Sequence, residues 1–258
     1  MCHIEIMGHG PAVVLLHGWS MHSGVWHAFA KQLAQFYQVY LVDLPGHGYS
    51  EWQEEGLTLD KWLPNLMPQL PEVAAYLGWS LGGNIALAIA HRYPARIRCI
   101  GLIASNPCFV KQADWSVAVD EAVFEDFHRH LLVDSVSTLK RFVLLQLAGS
   151  QQGRRHMATI SKQLQCRPVA QLAALQAGLE GLITWDMRQI LQSLSCPRLL
   201  LLGQHDKLVP VALAKEITGW QSRIEVNVID GAGHMPFISH PNESLRVLNH
   251  WLKRKNER

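Results

Sequence analysis

Five short runs of apolar residues recur along the chain, and none of them alternates with polar residues. They are Ala12 to Leu16, Val39 to Val42, Val73 to Leu77, Ile100 to Ala104 and Leu199 to Leu202. A strand that is hydrophobic on both faces must be covered on both faces, as in a parallel sheet packed between helices. Longer segments of helical character separate the runs, for example Gly24 to Phe36 and Gly83 to Arg92. This order predicts an α/β fold with a mostly parallel sheet.

One part of the chain breaks this alternation. From 111 to 189 the pattern is helical, with no convincing strand. Ligands of open α/β sheets bind beyond the carboxyl ends of the strands, so we interpret the block as a helical cap over that edge, inserted after the sixth strand. The predicted core is then 1–110 and 190–258, and the predicted cap is 111–189. A second helical layer with no functional role is the alternative.

Charge and cysteine content limit the class of protein. The 258 residues include 23 Lys and Arg against 21 Asp and Glu, and a net charge of +2 does not indicate a nucleic-acid-binding protein. The five cysteines are scattered, without the spacing of a disulfide framework or a metal site. No apolar stretch approaches the ~18 residues that span a bilayer, and we find no secretory signal. We expect a cytoplasmic monomer with no metal, no organic cofactor and no membrane contact.

The sequence Gly78-Trp79-Ser80-Leu81-Gly82-Gly83 matches the nucleophile-elbow pattern G-x-S-x-G. It lies between an apolar run and a helical run, which is the strand-turn-helix context that the pattern requires. The turn holds the serine in strained backbone geometry, and the flanking glycines let neighbouring backbone pack closely. At a helix N-terminus, unpaired N–H groups favour negative charge that develops near the serine. We therefore predict Ser80 as a nucleophile.

A serine hydroxyl is a weak nucleophile and needs an adjacent base. The chain order serine, acid, histidine selects Asp206, which follows the last of the five apolar runs, and His234, which follows a predicted strand at Ile224 to Ile229. His234 would take the proton of Ser80, and Asp206 would hold the imidazole tautomer. A turn aspartate that caps a helix after Val209 is the alternative for Asp206. The competing residues are His17, His47, His205, His240, Asp186 and Asp230.

Acyl transfer builds negative charge on an oxygen that needs two N–H donors. Leu81, the residue after the nucleophile, is predicted to supply one from its backbone. The loop after the first apolar run, His17-Gly18-Trp19, is predicted to supply the other from the backbone N–H of Trp19. The Trp19 side chain either walls the pocket or packs in the core.

Together these motifs resemble those of the α/β-hydrolase superfamily over nearly the whole chain. The motifs that carry the resemblance are His17-Gly18-Trp19, Asp43-Leu44-Pro45-Gly46-His47-Gly48-Tyr49-Ser50, the elbow, Gly203 to Pro210 and Gly233-His234. The resemblance implies an α/β-hydrolase fold with a serine-dependent site, and a fold alone does not determine a substrate.

Other segments resemble the family of pimeloyl-[acyl-carrier protein] methyl ester esterases of biotin synthesis. The segments are the elbow, Ser105-Asn106-Pro107-Cys108-Phe109, Arg141-Phe142 through Leu145-Gln146, and Pro236-Phe237-Ile238-Ser239-His240-Pro241. The resemblance implies a carboxylesterase that removes the methyl group masking the free end of the pimeloyl chain, with an acyl-carrier protein as partner. The implied substrate contacts are Trp19, Ser80, Leu81, Phe142, Val143, Leu144, Leu145, Gln146 and His234.

The predicted cap contains a basic segment. Between 135 and 179 there is no Asp or Glu, and the basic residues are Lys140, Arg141, Arg154, Arg155, Lys162 and Arg167. Arg141 and Arg154 match family arginines that face the carrier protein. Arg155 and Lys162 lie opposite the apolar face of a predicted helix at 151–165. We predict that these four residues contact the acidic carrier; an ordinary solvated face is the alternative.

Several other interpretations remain open from the sequence. Ser137 and Ala158 stand where further family arginines are expected, so the carrier contact is expected to be weaker or shifted. A general carboxylesterase or thioesterase for small free esters would use the same three residues. A non-catalytic binding or receptor module of the same fold can also keep them. Serine at position 80 argues against a haloalkane dehalogenase, which needs a carboxylate there.

Overall fold

The computed structural model describes residues 1–52, 58–147, 160, 166–220 and 224–256. The strands in this part of the chain are β1 Ile4–Met7, β2 Ala12–Leu16, β3 Gln38–Val42, β4 Ala74–Trp79, β5 Ile97–Ile103, β6 Arg198–Gly203 and β7 Ile224–Ile229. They form one sheet in the order β1-β3-β2-β4-β5-β6-β7. Neighbouring strands are parallel except for β1 and β3, which pair antiparallel at one edge. The predicted α/β fold with a mostly parallel sheet is confirmed.

Helices pack on both faces of this sheet. They are α1 His27–Leu33, α2 Leu59–Leu66, α3 Leu81–Arg92, α4 Glu121–Val133, α5 Ser135–Leu147, α6 Leu172–Thr184, α7 Arg188–Ser193, α8 Leu213–Gly219, α9 Pro236–Ser239 and α10 Pro241–Asn256. Short 3₁₀ turns cover Ser23–Trp26, Met67–Gln69 and Pro94–Arg96. None of the described helices is long and apolar enough to cross a membrane.

The burial of β2 shows why the apolar runs do not alternate. Val14 and Leu16 belong to the apolar cluster that includes α3, whereas Val13 and Leu15 belong to the cluster that includes α1 and α10. Successive side chains of a strand point to opposite faces, so both faces of β2 need apolar residues. Every residue of β4 and of β6 is buried in the same way. Because β2, β4, β5 and β6 pair in parallel, their carboxyl ends meet at one edge of the sheet.

Helices α4, α5 and α6 form the insertion between β5 and β6. Phe127 of α4 meets Phe142 of α5 edge-on, with ring centres 5.3 Å apart, so these two helices share an apolar contact. The sequence placed the insertion after the sixth strand, and that count was wrong. In the described part of the chain the insertion follows the fifth strand, β5. A single strand, β1, precedes the strand that begins at Ala12. The domain boundaries at 110 and 190 stay a prediction, and the helix predicted at 151–165 lies outside the described residues except for the buried Ile160.

Candidate active site

Ser80 links β4 to α3 with a backbone φ of 54° and ψ of −122°, a conformation that residues other than glycine rarely adopt. Its N–H donates to the carbonyl oxygen of Ile103 at 3.0 Å. Its own carbonyl oxygen accepts hydrogen bonds from the Gly83 amide at 2.9 Å and the Ser105 hydroxyl at 2.7 Å. These bonds hold the strained residue in place. Ser105 was not predicted as a site residue, although it lies two residues after β5, the strand next to β4.

Glycines bring the loop after β2 against this turn. A Cβ on Gly82 would lie 2.4 Å from the carbonyl oxygen of Leu16 and 2.6 Å from that of His17, so only glycine fits there. A Cβ on Gly18 would lie 3.1 Å from the Cβ of Ser80. The loop that contains the predicted oxyanion donor is therefore in close contact with the predicted nucleophile.

His234 and Asp206 lie together at the carboxyl ends of β7 and β6. The Nδ1 of His234 donates to Oδ2 of Asp206 at 2.8 Å, and both side chains are buried. The other carboxylate oxygen, Oδ1, accepts from the amides of Leu208 at 2.8 Å and Val209 at 3.0 Å. Asp206 therefore holds the turn at Leu208 and Val209 with one oxygen and contacts His234 with the other. It does not cap a helix, because α8 begins at Leu213 with Ala212 as its N-cap residue.

The loop of His234 is held by the elbow and by the insertion. Its carbonyl oxygen accepts from Trp79 Nε1 at 2.8 Å, and its N–H donates to the carbonyl oxygen of Gln146 in α5 at 3.3 Å. Its Nε2 is buried and has no hydrogen-bond partner among the described residues. A ring nitrogen of this kind can accept a proton from a hydroxyl that approaches it. A displacement of α5 would move the backbone of His234 directly.

The competing histidines and acids have other environments. His17 accepts from the Leu44 amide at 3.0 Å through Nε2, and its Nδ1 lies 2.9 Å from the carbonyl oxygen of Gly18. Burial, with His47 nearby, lowers the pKa of His17 to about 3. Burial lowers the pKa of His47 to about 4, although its Nδ1 lies 2.9 Å from the carbonyl oxygen of Pro45. The remaining competitors contact Ser239 (His240), pair with Arg188 (Asp186) or are exposed (His205 and Asp230).

The lowered pKa values of the buried His17 and His47 predict how the free energy of unfolding depends on pH. Unfolded, each binds a proton near pH 6.5, whereas the folded chain protonates His47 only near pH 4 and His17 near pH 3. The unfolded state thus binds more protons within this window, so the free energy of unfolding falls as pH is lowered through it, by at most ~1.4 kcal/mol per pH unit for each histidine. Urea unfolding at pH 7 and pH 5 measures the difference. His47→Gln is expected to reduce it and the exposed control His9→Gln to leave it unchanged; equal differences in both variants would contradict the prediction.

The side chain of Trp19 packs beneath the insertion. Its Nε1 donates to the carbonyl oxygen of Leu175 in α6 at 2.7 Å, and its ring meets that of Phe142 edge-on at 4.6 Å. A Cβ on Gly178 would lie 2.7 Å from the Trp19 ring, so α6 approaches it closely. The structure shows the ring packed in the core against α5 and α6; that it also walls a substrate pocket stays a prediction.

The stretch from Phe142 to Gln146 does not face one side. Phe142, Val143 and Gln146 are buried, whereas Leu144 is 58% exposed. Leu144 and Leu145 line an outer groove of about 680 Å³ between α4 and α5. A helix turns every 3.6 residues, so five successive side chains cannot share a face. Phe142, Val143 and Gln146 are thus the buried residues of this stretch; that they contact substrate stays a prediction. Oε1 of Gln146 is buried without a hydrogen-bond partner among the described residues.

The basic residues of the insertion are not equivalent. Arg141 is half exposed, forms an ion pair with Asp126 at 3.1 Å and lies over the ring of Phe127. Arg167, which belongs to the same basic segment but is not one of the four predicted carrier contacts, is buried between Asp43 and Glu5, so its charge is paired within the chain. The predicted carrier contacts Arg154, Arg155 and Lys162 lie outside the described residues.

Two further observations on the described residues concern metal sites and cavities. No group of three or more His, Cys, Asp or Glu side chains in this part of the chain is arranged to hold a metal ion. A cavity of about 700 Å³ lies between α2, α3, α6 and α7, and Ser80, Asp206 and His234 are not among its lining residues. That cavity is therefore separate from the site at the elbow.

Comparison with known proteins agrees with the fold. A family model described as the alpha/beta hydrolase fold matches residues 11–241. The structure is similar to that of an esterase from Exiguobacterium antarcticum, with a TM-score of 0.87, 20% identity, and coverage of 98% of this chain and 95% of that one. At this identity the similarity supports the fold alone.

Sequence relatives are more informative. A protein from Xylella fastidiosa (strain M12), named pimeloyl-[acyl-carrier protein] methyl ester esterase, is 39% identical over 252 residues, which are 97% of this chain and 98% of the relative. A protein of the same name from Xanthomonas campestris pv. campestris (strain B100) is 38% identical over 250 residues, with the same coverage. The chain therefore belongs to the α/β hydrolase family, and within it to the family that these esterases represent. The fold and the family resemblance that the sequence predicted are confirmed.

Proposed function

We propose that this chain is a serine carboxylesterase that hydrolyses the methyl ester of pimeloyl-[acyl-carrier protein]. The observation that carries the proposal is the buried hydrogen bond of 2.8 Å between His234 Nδ1 and Asp206, with His234 Nε2 lacking a hydrogen-bond partner among the described residues. The His234 ring lies 5.7 Å from that of Trp79, the residue before the strained Ser80. The names of relatives that match nearly the whole chain support the choice of ester. We further propose that the protein acts as a cytoplasmic monomer without a cofactor.

The reaction proceeds by two acyl transfers. His234 takes the proton of Ser80 while Oγ attacks the carbonyl carbon of the methyl ester. The negative charge on the carbonyl oxygen is stabilised by the backbone N–H groups of Trp19 and Leu81, the latter at the first residue of α3, where the N–H lacks a partner within the helix. Methanol leaves with the proton from His234. Water then attacks the acyl-enzyme with His234 as base, and the free carboxylate and Ser80 are regenerated.

The position of the ester in the substrate determines how the acyl chain must pass the cap. The ester is at the opposite end of the pimeloyl chain from the carrier, so the acyl group on Ser80 still has the carrier attached. The chain must therefore run from Ser80 to the surface while methanol leaves. The buried side chains of Trp19, Phe142 and Val143 supply apolar contacts for the methylene groups. The side-chain oxygen Oε1 of Gln146, which has no partner among the described residues, supplies a hydrogen-bond acceptor.

The kinetic test compares two esters in the same enzyme. We expect kcat/KM for pimeloyl-carrier methyl ester to exceed that for a short free ester such as p-nitrophenyl butyrate, because only the first gains contacts with the cap. Equal or better use of the short ester would favour the general carboxylesterase instead. No turnover of either ester would favour a non-catalytic module.

The carrier surface is proposed to include Arg154, Arg155 and Lys162, with Arg141 at its margin because Asp126 already offsets its charge. Reversing the first two charges, Arg154→Glu with Arg155→Glu, is expected to lower kcat/KM for the carrier-linked ester by about tenfold at low salt, and by less at high salt. The short free ester should react within about twofold of the parent rate, because it makes no carrier contact. Steady-state kinetics at two salt concentrations measure both.

Arg129 provides the matched control for this prediction. It is an exposed arginine on α4, and it lies 3.5 Å from the same Asp126 that pairs with Arg141. Arg129→Glu changes the charge of the cap by the same amount per residue, and it is expected to have little effect on either ester. Equal losses on both esters in the double variant, or an equal loss in the control, would assign the basic residues to stability rather than to the carrier.

A further inference from the structure

A buried cation fastens the end of the insertion to the core. Nη1 of Arg167 donates to Oδ2 of Asp43 at 2.8 Å, and Nη2 donates to Oε2 of Glu5 at 2.5 Å and lies 3.0 Å from Nε2 of His27. The guanidinium also lies over the ring of Tyr49, 5.1 Å from its centre. Its side chain is only 4% exposed. A planar group that is paired on two sides and stacked on a third has little freedom to move.

Neighbouring contacts extend this attachment. The amide of Gln171 donates to the carbonyl oxygen of Gly46 at 2.8 Å, and the hydroxyl of Tyr49 lies 3.4 Å from the carbonyl oxygen of Cys166. Residues 166–171, which lead into α6, therefore lie on the loop that follows β3. The loop at 43–50 is thus one of the places where the insertion and the core meet.

Asp43 connects Arg167 to the backbone of two loops through its two carboxylate oxygens. Its Oδ1 accepts from the amide of Ser23 at 2.7 Å, and its Oδ2 accepts from the amide of Tyr49 at 3.0 Å as well as from Arg167. A Cβ on Gly48, whose φ is +54°, would lie 2.4 Å from this carboxylate. One buried side chain thus fixes both the loop after β3 and the turn that begins four residues after Trp19.

The next contact reaches the proposed oxyanion donor. The amide of Leu44 donates to Nε2 of His17, so Nδ1 of the neutral ring bears the proton and donates to the carbonyl oxygen of Gly18 at 2.9 Å. The amide of Met21 reaches the same oxygen at 3.3 Å. In a planar trans peptide the C=O and N–H point in opposite directions. Holding the Gly18 carbonyl therefore fixes the direction of the Trp19 N–H.

We propose that Arg167 is a positioning residue that acts through Asp43 and His17. It holds the Trp19 N–H in the orientation that stabilises the oxyanion, so catalysis depends on the insertion being packed against the core. The inference rests on the proposed function, because it needs Ser80 chemistry to act upon. A purely structural role, in which Arg167 only offsets the buried charge of Asp43, makes a different prediction. It would lower stability without changing the transition state selectively.

The test uses Arg167→Lys and Arg167→Met in the full chain, with Arg198→Met as the matched control. Arg198 is also buried, but it starts β6 at the opposite end of the strand from Asp206 and donates to the carbonyl oxygen of Leu191 at 2.7 Å. We expect kcat on p-nitrophenyl butyrate to fall about tenfold in the lysine variant and about a hundredfold in the methionine variant, with KM within about twofold. Labelling of Ser80 by a fluorophosphonate should slow in parallel. The control should keep the parental kcat per folded molecule.

The outcomes separate the two proposals. A parent enzyme that the phosphonate does not label at Ser80 would overturn the proposed function. A labelled parent with parental kcat in both Arg167 variants, a rise in KM at constant kcat, or an equal loss in Arg198→Met would overturn the positioning role alone. If Arg167→Met does not fold, Arg167→Lys is judged by the same criteria, because it keeps a cation beside Asp43 but loses the planar fork.

Discussion

Ser80→Ala is expected to abolish ester turnover, with kcat lowered by about 10⁴-fold or more, because no other group in the proposed mechanism can form the acyl-enzyme. Labelling by a fluorophosphonate should disappear as well. The fold should survive, because the substitution removes one oxygen and leaves the three backbone hydrogen bonds of residue 80 in place. Active-site labelling followed by mass spectrometry, with thermal unfolding in parallel, measures both effects.

Ser244→Ala is the appropriate control for that variant. Ser244 is also a buried serine, but it lies in α10, and its hydroxyl has no hydrogen-bond partner among the described residues. This control should be labelled at the parental rate. Labelling that persists in Ser80→Ala would assign the nucleophile to another residue, and the labelled peptide would identify it.

Asp206→Asn is expected to lower kcat by about 10⁴-fold with a small change in KM. An asparagine can keep the bonds to the amides of Leu208 and Val209 through its carbonyl oxygen, so the turn should remain folded. It then presents an NH₂ group to Nδ1 of His234, which favours the tautomer that places the proton on Nε2. A histidine in that tautomer cannot accept the proton of Ser80.

Asp186→Asn serves as the comparison for this second prediction. Asp186 was a competing acid in the sequence, and its carboxylate pairs with Arg188 near the surface at 2.7 Å. We expect this variant to retain the parental kcat. A loss in Asp186→Asn together with full activity in Asp206→Asn would mean that the orienting acid has been misassigned.

The sequence was sufficient to predict features of two kinds: motifs formed by neighbouring residues, and residues that directly follow the carboxyl ends of strands. The elbow needs only a strand, close-packed glycines and a helix, all within residues 74–92. Asp206 and His234 are far apart in sequence, but they follow β6 and β7, which are parallel neighbours in the sheet. Chain order selected the two residues, and the parallel pairing of β6 and β7 brings their side chains within hydrogen-bonding distance.

Features that depend on distant partners could not be predicted in this way. The buried ion pairs of Arg167 were not predicted, because its partners, Asp43 and Glu5, lie more than a hundred residues away in the chain. The inward and outward faces of α5 depend on how α4 packs against it, so Leu144 was grouped with Phe142 although only Phe142 is buried. Composition gives the number of charged and apolar residues but not which of them contact each other in the fold.

The most direct test of the proposed reaction is the mass of the carrier after incubation with the enzyme. Pimeloyl-carrier methyl ester is mixed with the parent enzyme, with Ser80→Ala as the control, and the carrier is analysed by intact-protein mass spectrometry. Attack at the methyl ester predicts a carrier that keeps its acyl chain but is lighter by one CH₂, together with one equivalent of methanol. A carrier that has lost the whole chain would mean that Ser80 attacks the bond to the carrier, as in a thioesterase. An unchanged carrier, from an enzyme that still cleaves p-nitrophenyl butyrate, would contradict the proposed substrate.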